Sequence, residues 1–183
     1  VTYGSDDDLV FDFIYETNLL KSDEEWVVRF HAPIQNKGVF HTDLNGFNFD
    51  THHFRADMPI QSQVFPMPTH ASIEDSSMRF TVLSEHAQGT ASLQNGAIDI
   101  WLDRRLSHDD QRGLSQGIHD NVPTRTRLRL LLEHKFEHQQ NDDFFVTPTC
   151  KLLWDELNHP LEMFGTPSRQ KCTHTKCMLE GIF

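Results

Sequence analysis

The sequence predicts a mainly antiparallel β fold with one helix near its C-terminal end. Three observations carry this expectation. Apolar and polar residues alternate with period two through the first 135 positions, turn signals recur at short intervals, and one capped helical pattern stands late in the chain. Leu9, Phe11, Phe13 and Tyr15 share one face of a first strand. Trp26, Val28 and Phe30 repeat the pattern after the polar turn from Lys21 to Glu25. Further strands are expected over Gly38–Leu44, Gln61–Phe65, Ala71–Asp75, Met78–Ser84, Ala97–Arg105 and Thr126–Glu133. Between them stand Asn36-Lys37-Gly38, Asn45-Gly46, Pro66-Met67-Pro68, Gln88-Gly89 and Asn95-Gly96, all turn formers. Asn95-Gly96, between Leu93 and Ile98, is expected to form a type I′ hairpin. Many short strands at this spacing suggest a sandwich or barrel.

The helix is expected near Pro148–Leu157. Thr147 can cap it, Pro148 suits its first position, and Leu152, Leu153 and Leu157 form an apolar stripe. Asn158-His159-Pro160 ends it. The stretch from Gly165 to Phe183 has no clear period and reads as loop. Residues 1–135 are expected to form a β-sandwich domain, with 136–183 supplying the helix and an irregular tail to the same domain.

Composition narrows the function classes. The chain of 183 residues carries 16 Lys and Arg against 27 Asp and Glu, a formal net charge of −11. Nucleic-acid binding needs a basic footprint, so no nucleic-acid partner is expected. Anionic membranes are disfavoured for the same reason, and no stretch reaches the ~20 apolar residues of a membrane span. No membrane contact is expected. The start at Val1 without a leader pattern reads as a piece of a longer product. Three cysteines, Cys150, Cys172 and Cys177, rule out a disulfide-dense scaffold.

Twelve histidines raise the question of zinc. His134 and His138 are four apart, but Leu128, Leu130 and Leu132 alternate before them, so the pair reads as polar residues leaving a strand. Cys172-x-His174-x-x-Cys177 lacks a second half-site and reads as a disulfide or two free thiols. His52 and His53 are adjacent, so on a strand they would point to opposite faces and could not easily chelate together. No metal site is expected in this chain. Among carboxylates, Asp109-Asp110 lies in a dense ionic stretch running from Asp103 through Arg104, Arg105 and Arg112 to Leu114. Arginine forks bind carboxylates in pairs, so Asp103, Arg104, Asp109 and Asp110 are expected to form a structural ion-pair loop. Such a loop also suits a polyhydroxylated ligand, which needs donors and acceptors together. By alternation Arg104 follows the inward face of Ile98, Ile100 and Leu102. It is therefore expected to be buried and paired with Asp109 or Asp110, with Arg105 pointing outward.

These residues also resemble a known family. Phe40-His41-Thr42-Asp43-Leu44-Asn45-Gly46-Phe47 is similar to the F-Y-T-D-L-N-G-F segment of class II α-mannosidases, glycoside hydrolase family 38, with His41 standing for the usual tyrosine. Pro59-Ile60-Gln61 and Phe65-Pro66-Met67-Pro68 resemble its P-L-Q and Y-P-M-P. Asp103-Arg104-Arg105-Leu106, Asp109-Asp110, Arg112-Gly113-Leu114, Gln116-Gly117 and Asp120-Asn121 resemble its D-R-R-L-x-x-D-D-x-R-G-L-x-Q-G-x-x-D-N signature, and Leu130-Leu131-Leu132-Glu133 its L-L-L-E. The motifs keep the family's order over roughly residues 25 to 135. Leu44-Asn45-Gly46-Phe47 and Leu114-Ser115-Gln116-Gly117 resemble the Golgi type.

The resemblance implies an antiparallel super-sandwich of galactose mutarotase-like form, the C-terminal β region of the enzyme. It implies a Golgi-lumen parent, anchored to the membrane outside this piece, that trims mannose from N-linked glycans. Zinc and two aspartates would act by a retaining mechanism in an N-terminal catalytic domain outside this chain, so no catalytic residue is expected here and the chain alone should be inactive. Arg112, past the strand and before Gly113, is expected to project from the sheet and donate to sugar hydroxyls in that domain's pocket. The alternatives are a third structural ion pair at Arg112 and, for the whole chain, a stand-alone carbohydrate- or protein-binding β module without catalysis.

Overall fold

A computed structural model describes residues 8–46, 48–109, 111–113, 115–135 and 146–161. Among these described residues, ten strands and one α-helix follow in order: β1 (Leu9–Thr17), β2 (Glu24–His31), β3 (Val39–Leu44), β4 (Asn48–His53), β5 (Phe65–Met67), β6 (His70–Glu74), β7 (Met78–Ser84), β8 (Gln88–Ala91), β9 (Ala97–Arg105), β10 (Thr124–His134) and α1 (Pro148–Asn158). All strand pairs are antiparallel. They form a six-stranded sheet in the order β1-β10-β7-β6-β3-β4 and a four-stranded sheet in the order β2-β9-β8-β5. The mainly β fold with a late helix is thus as the alternation predicts.

The two sheets enclose one core. Ile73, Val82 and Leu128 from the larger sheet meet Met67, Ile98 and Ile100 from the smaller, all without solvent exposure. Period two explains the choice of residues, because Phe80 and Val82 face the other sheet while Leu83 faces away from it. That second face is covered by α1. Cys150 and Leu157 of the helix bury against Leu83 and Leu131, with Leu153 and Trp154 beside them. The Thr147 hydroxyl accepts the Cys150 N–H at 3.1 Å, and the His159 N–H closes the far end on the Asp155 carbonyl at 2.7 Å. The buried stripe runs through Cys150, Leu153 and Leu157, spacings of three and four. Leu152 is exposed, contrary to the expected stripe, because it is one step out of that phase.

Two further expectations change. Gln61–Phe65 is not one strand: Pro59 starts a 3-10 turn over Ile60–Gln63, and extended backbone resumes only at β5. The Asn95-Gly96 turn is not type I′, since Gly96 alone takes a positive φ, 76°, and the Ala97 N–H reaches the Gln94 carbonyl at 3.1 Å. A Cβ at Gly96 would lie 2.5 Å from the Ala32 carbonyl oxygen. Paired positive φ values occur instead at Asn45, 61°, and Gly46, 78°, where β3 turns into β4. His52 is buried and His53 exposed on β4, on opposite faces as alternation requires. The Cys172–Cys177 stretch, His138 and Asp110 lie outside the described residues, while Cys150 is a buried free thiol pushed up to about 12 by burial.

Candidate functional site

The ionic stretch forms the long connection from β9 to β10. A bulge in β9 sets its geometry. Val27 of β2 pairs with Trp101, but Trp26 pairs with Asp103, so Leu102 is an extra residue and the alternation slips by one. Arg104 therefore stands opposite Glu25 on the outer face, with its side chain 58% exposed and its guanidinium 3.9 Å from the Glu25 carboxylate. The expectation of a buried Arg104 paired with Asp109 is corrected: the bulge reverses the phase on which it rests. Arg105, expected outward, is half-buried, and its Nη1 donates to the His119 carbonyl at 3.0 Å and to Asn121 Oδ1 at 3.2 Å.

Among the described residues, the carboxylates of Asp103 and Asp109 are met by amide N–H groups rather than by arginine guanidinium groups. Asp103 Oδ1 accepts Asn121 Nδ2 at 2.7 Å, and the same amide reaches the Arg104 carbonyl at 2.8 Å. Leu106 and Ile118 exchange backbone bonds at 3.1 and 2.7 Å and pinch the loop closed. At its start, Asp23 accepts both the N–H and the hydroxyl of Ser107, which hold its carboxyl below the usual range. Within the loop, Asp109 accepts the Gln111 N–H at 2.9 Å and the Ser115 N–H at 2.7 Å. Gln111 and Ser115 take positive φ values of 62° and 57°, whereas Gly113 does not, so the left-handed positions flank the glycine. Gly117 is needed for another reason. A Cβ there would collide with the Leu106 carbonyl and lie 2.8 Å from that of Ser107.

Arg112 lies midway along this pinned loop and is exposed. Asp103, Arg104, Asp109 and Arg112 thus belong to one surface feature, in which the ion pair of Arg104 runs to Glu25. Next to the loop a cavity of about 670 Å³ is bordered by Arg104, His108, Asp109, Gln116 and Ile118. A larger groove of about 800 Å³ runs along the outer face of the smaller sheet, past Trp101 and Asp103, to Asp120 and Val122. Among the described residues, no three His, Cys, Asp or Glu side chains are placed to hold a metal ion.

The sequence reading missed Asp43. Its carboxylate is fully buried and accepts three backbone N–H groups, from Gly46 at 2.6 Å, Thr69 at 2.8 Å and His70 at 2.9 Å. It binds the β3–β4 turn to the start of β6. An aspartate two residues before Asn-Gly is the local signal, since such side chains hydrogen-bond nearby turns. Burial holds the pKa of His41, two residues earlier, down to about 4.

Comparisons with known proteins agree with these motifs. The family model of the glycosyl hydrolases family 38 C-terminal domain matches residues 6–112. Alpha-mannosidase 2x of Mus musculus is 45% identical over 112 residues, 61% of this chain and 10% of that protein. Alpha-mannosidase 2 of Arabidopsis thaliana is 41% identical over 86% of the chain and 14% of its own length. Alpha-mannosidase 2 of Homo sapiens is 33% identical over 87% of the chain and 14% of its own. The chain therefore spans between 10% and 14% of the length of these relatives. With a sandwich of two antiparallel sheets carrying the family's motifs in order, the chain belongs to glycoside hydrolase family 38, in its C-terminal domain.

Proposed function

We propose that this chain is the non-catalytic C-terminal β domain of a Golgi-type α-mannosidase, and that its β9–β10 loop presents Arg112 to the mannoside substrate. The parent would hydrolyse mannose from N-linked glycans in the Golgi lumen. The observation that carries the reading is the pinned loop. The Leu106–Ile118 bridge, the Asp23–Ser107 clamp and the Asp109 turns fix the backbone on both sides of an exposed Arg112. A guanidinium carried on a fixed backbone leaves less chain to order on meeting a ligand, and its planar fork suits neighbouring sugar hydroxyls. The relatives' names, alpha-mannosidase 2 and 2x, support the substrate class.

Zinc belongs, on this reading, to the N-terminal catalytic domain of the parent. What this chain supplies is positioning: a rigid sandwich, a loop clamped at its base and one cationic donor at its surface. The test compares the parent enzyme with the 183-residue chain on an aryl α-mannoside. Turnover by the parent and none by the folded chain is the expected result. Turnover by the folded chain alone, or a parent inactive on every α-mannoside, would overturn the assignment.

A further inference from the structure

We propose that the groove on the outer face of the smaller sheet is a binding site for a neutral pyranose, with Trp101 as its platform. The register places Trp101 on the outward face, between Val27 of β2 and Gly89 of β8. Gly89 leaves the flank of the indole uncovered. A Cβ at that position would lie 3.7 Å from Trp101 Cβ and 3.2 Å from Val64 Cγ1. Ile60 and Val122, 57% and 64% exposed, add apolar walls. The volume of about 800 Å³ falls inside the ~300–1,000 Å³ range of small-ligand sites.

The polar groups around this floor are mostly acceptors, and several lack a partner among the described residues. Asp120 receives no hydrogen bond, the side-chain amide of Gln61 makes none, and Asp103 engages Asn121 through Oδ1, leaving Oδ2 open. Glu25 Oε2 meets the Trp101 indole N–H at 3.4 Å and fixes one edge of the ring. A pyranose fits this pattern. Its C–H face packs on an aromatic ring, while its hydroxyls donate to carboxylates around the rim. Three carboxylates, Glu25, Asp103 and Asp120, outnumber the one cation of the lining, Arg104, which lies 3.9 Å from Glu25, so a nucleic acid or phosphate would meet net like charge. Arg112 does not line the groove, so this site stands or falls apart from the loop assignment.

The test is saturation-transfer NMR on the 183-residue chain with methyl α-mannopyranoside, methyl β-galactopyranoside and N-acetylglucosamine, each at millimolar concentration. The expected result is transfer to the ring protons of at least one sugar, together with a change in tryptophan emission. Added salt should leave both unchanged, because the ligand is neutral. Gly89→Leu, which fills the space beside the ring while keeping Trp101, should weaken binding ~10-fold or more, and Trp101→Ala should do the same. No transfer to any sugar from a folded chain would overturn the proposal. So would binding that persists in both variants, or transfer to an oligolysine peptide alone that fades with salt.

Discussion

Asp43→Ala should be among the most damaging single changes in the molecule. The carboxylate is fully buried and is the acceptor for three N–H groups drawn from two separate segments. A hydrogen bond to a charged group contributes ~1.5–3 kcal/mol net, and a stranded buried donor costs a similar amount. Gly46 lies in a surface turn and can turn its N–H to water. Thr69 and His70 are buried and have no such recourse. Counting two stranded donors and one replaced gives a loss of ~3–6 kcal/mol, against a total stability of ~5–15 kcal/mol for a domain. Asp43→Asn keeps an acceptor for Thr69 and His70 but sets its amide against the Gly46 N–H, so it should cost about half as much. Urea unfolding followed by circular dichroism reads both, provided the slope m is unchanged. A loss below ~1 kcal/mol for Asp43→Ala would refute the reasoning, because the N–H groups would then have found water or other acceptors.

The bulge at Leu102 makes a paired prediction. Arg105→Ala, which removes bonds of 3.0 and 3.2 Å inside the loop, should cost ~1–2 kcal/mol, while Arg104→Ala should change stability by less than ~0.5 kcal/mol. The reverse order in thermal melts would mean that the bulge is absent. Acidification supplies the next test. Burial holds His41 down to about 4 in the fold, against about 6.5 unfolded, so its contribution is unaffected above pH 6.5 and stability drains away as pH falls from 6.5 towards 4. The full loss is about 3 kcal/mol, and His41→Tyr should flatten the fall between pH 7 and 4.5 measured by urea titration at each pH. An unchanged slope in the variant would place the acid sensitivity elsewhere.

Elements whose signals are local were legible in the sequence. Thr147, Pro148 and His159 bound α1 through contacts within one turn of the chain, and β7 and β9 announce themselves by apolar runs. β8 was read as a turn because Gln88 and Gly89 look like one. Yet Gln88 is buried, donating to Tyr15 Oη at 2.8 Å and the Trp101 carbonyl at 3.2 Å, and Thr90 bonds the Asp99 carbonyl at 2.9 Å. Such a strand is held by partners far along the chain, which period two does not report. β4 was missed as a strand for a similar reason. Its inward His52 stacks on Phe65 at 3.7 Å and meets the Thr42 hydroxyl at 2.8 Å, a polar residue in a core position.

The ionic loop was found as a feature but misread in orientation. Leu102 is apolar and packs on the core, so nothing in its identity betrays that it is the extra residue of a bulge. One unpaired residue was enough to exchange the faces of Arg104 and Arg105. Asp109 was expected to pair with arginine and instead accepts backbone N–H groups, which a left-handed Gln111 and Ser115 turn towards it. Side-chain charge in the sequence shows that a loop is ionic. It does not show whether carboxylates will meet cations or amides.

The most direct test of the central claim is the steady-state kinetics of Arg112→Ala in the full-length parent, measured on an α-mannoside beside its melting temperature. Loss of a charge-assisted hydrogen bond to substrate should lower kcat/KM by ~10-fold or more, equivalent to ~1.4 kcal/mol, while the melting temperature stays within a degree or so of the parent's. Arg104→Ala, on the outer face with Glu25, should leave both quantities nearly unchanged. An Arg112→Ala enzyme that melts early yet turns over normally when folded would contradict the account and make Arg112 part of the scaffold.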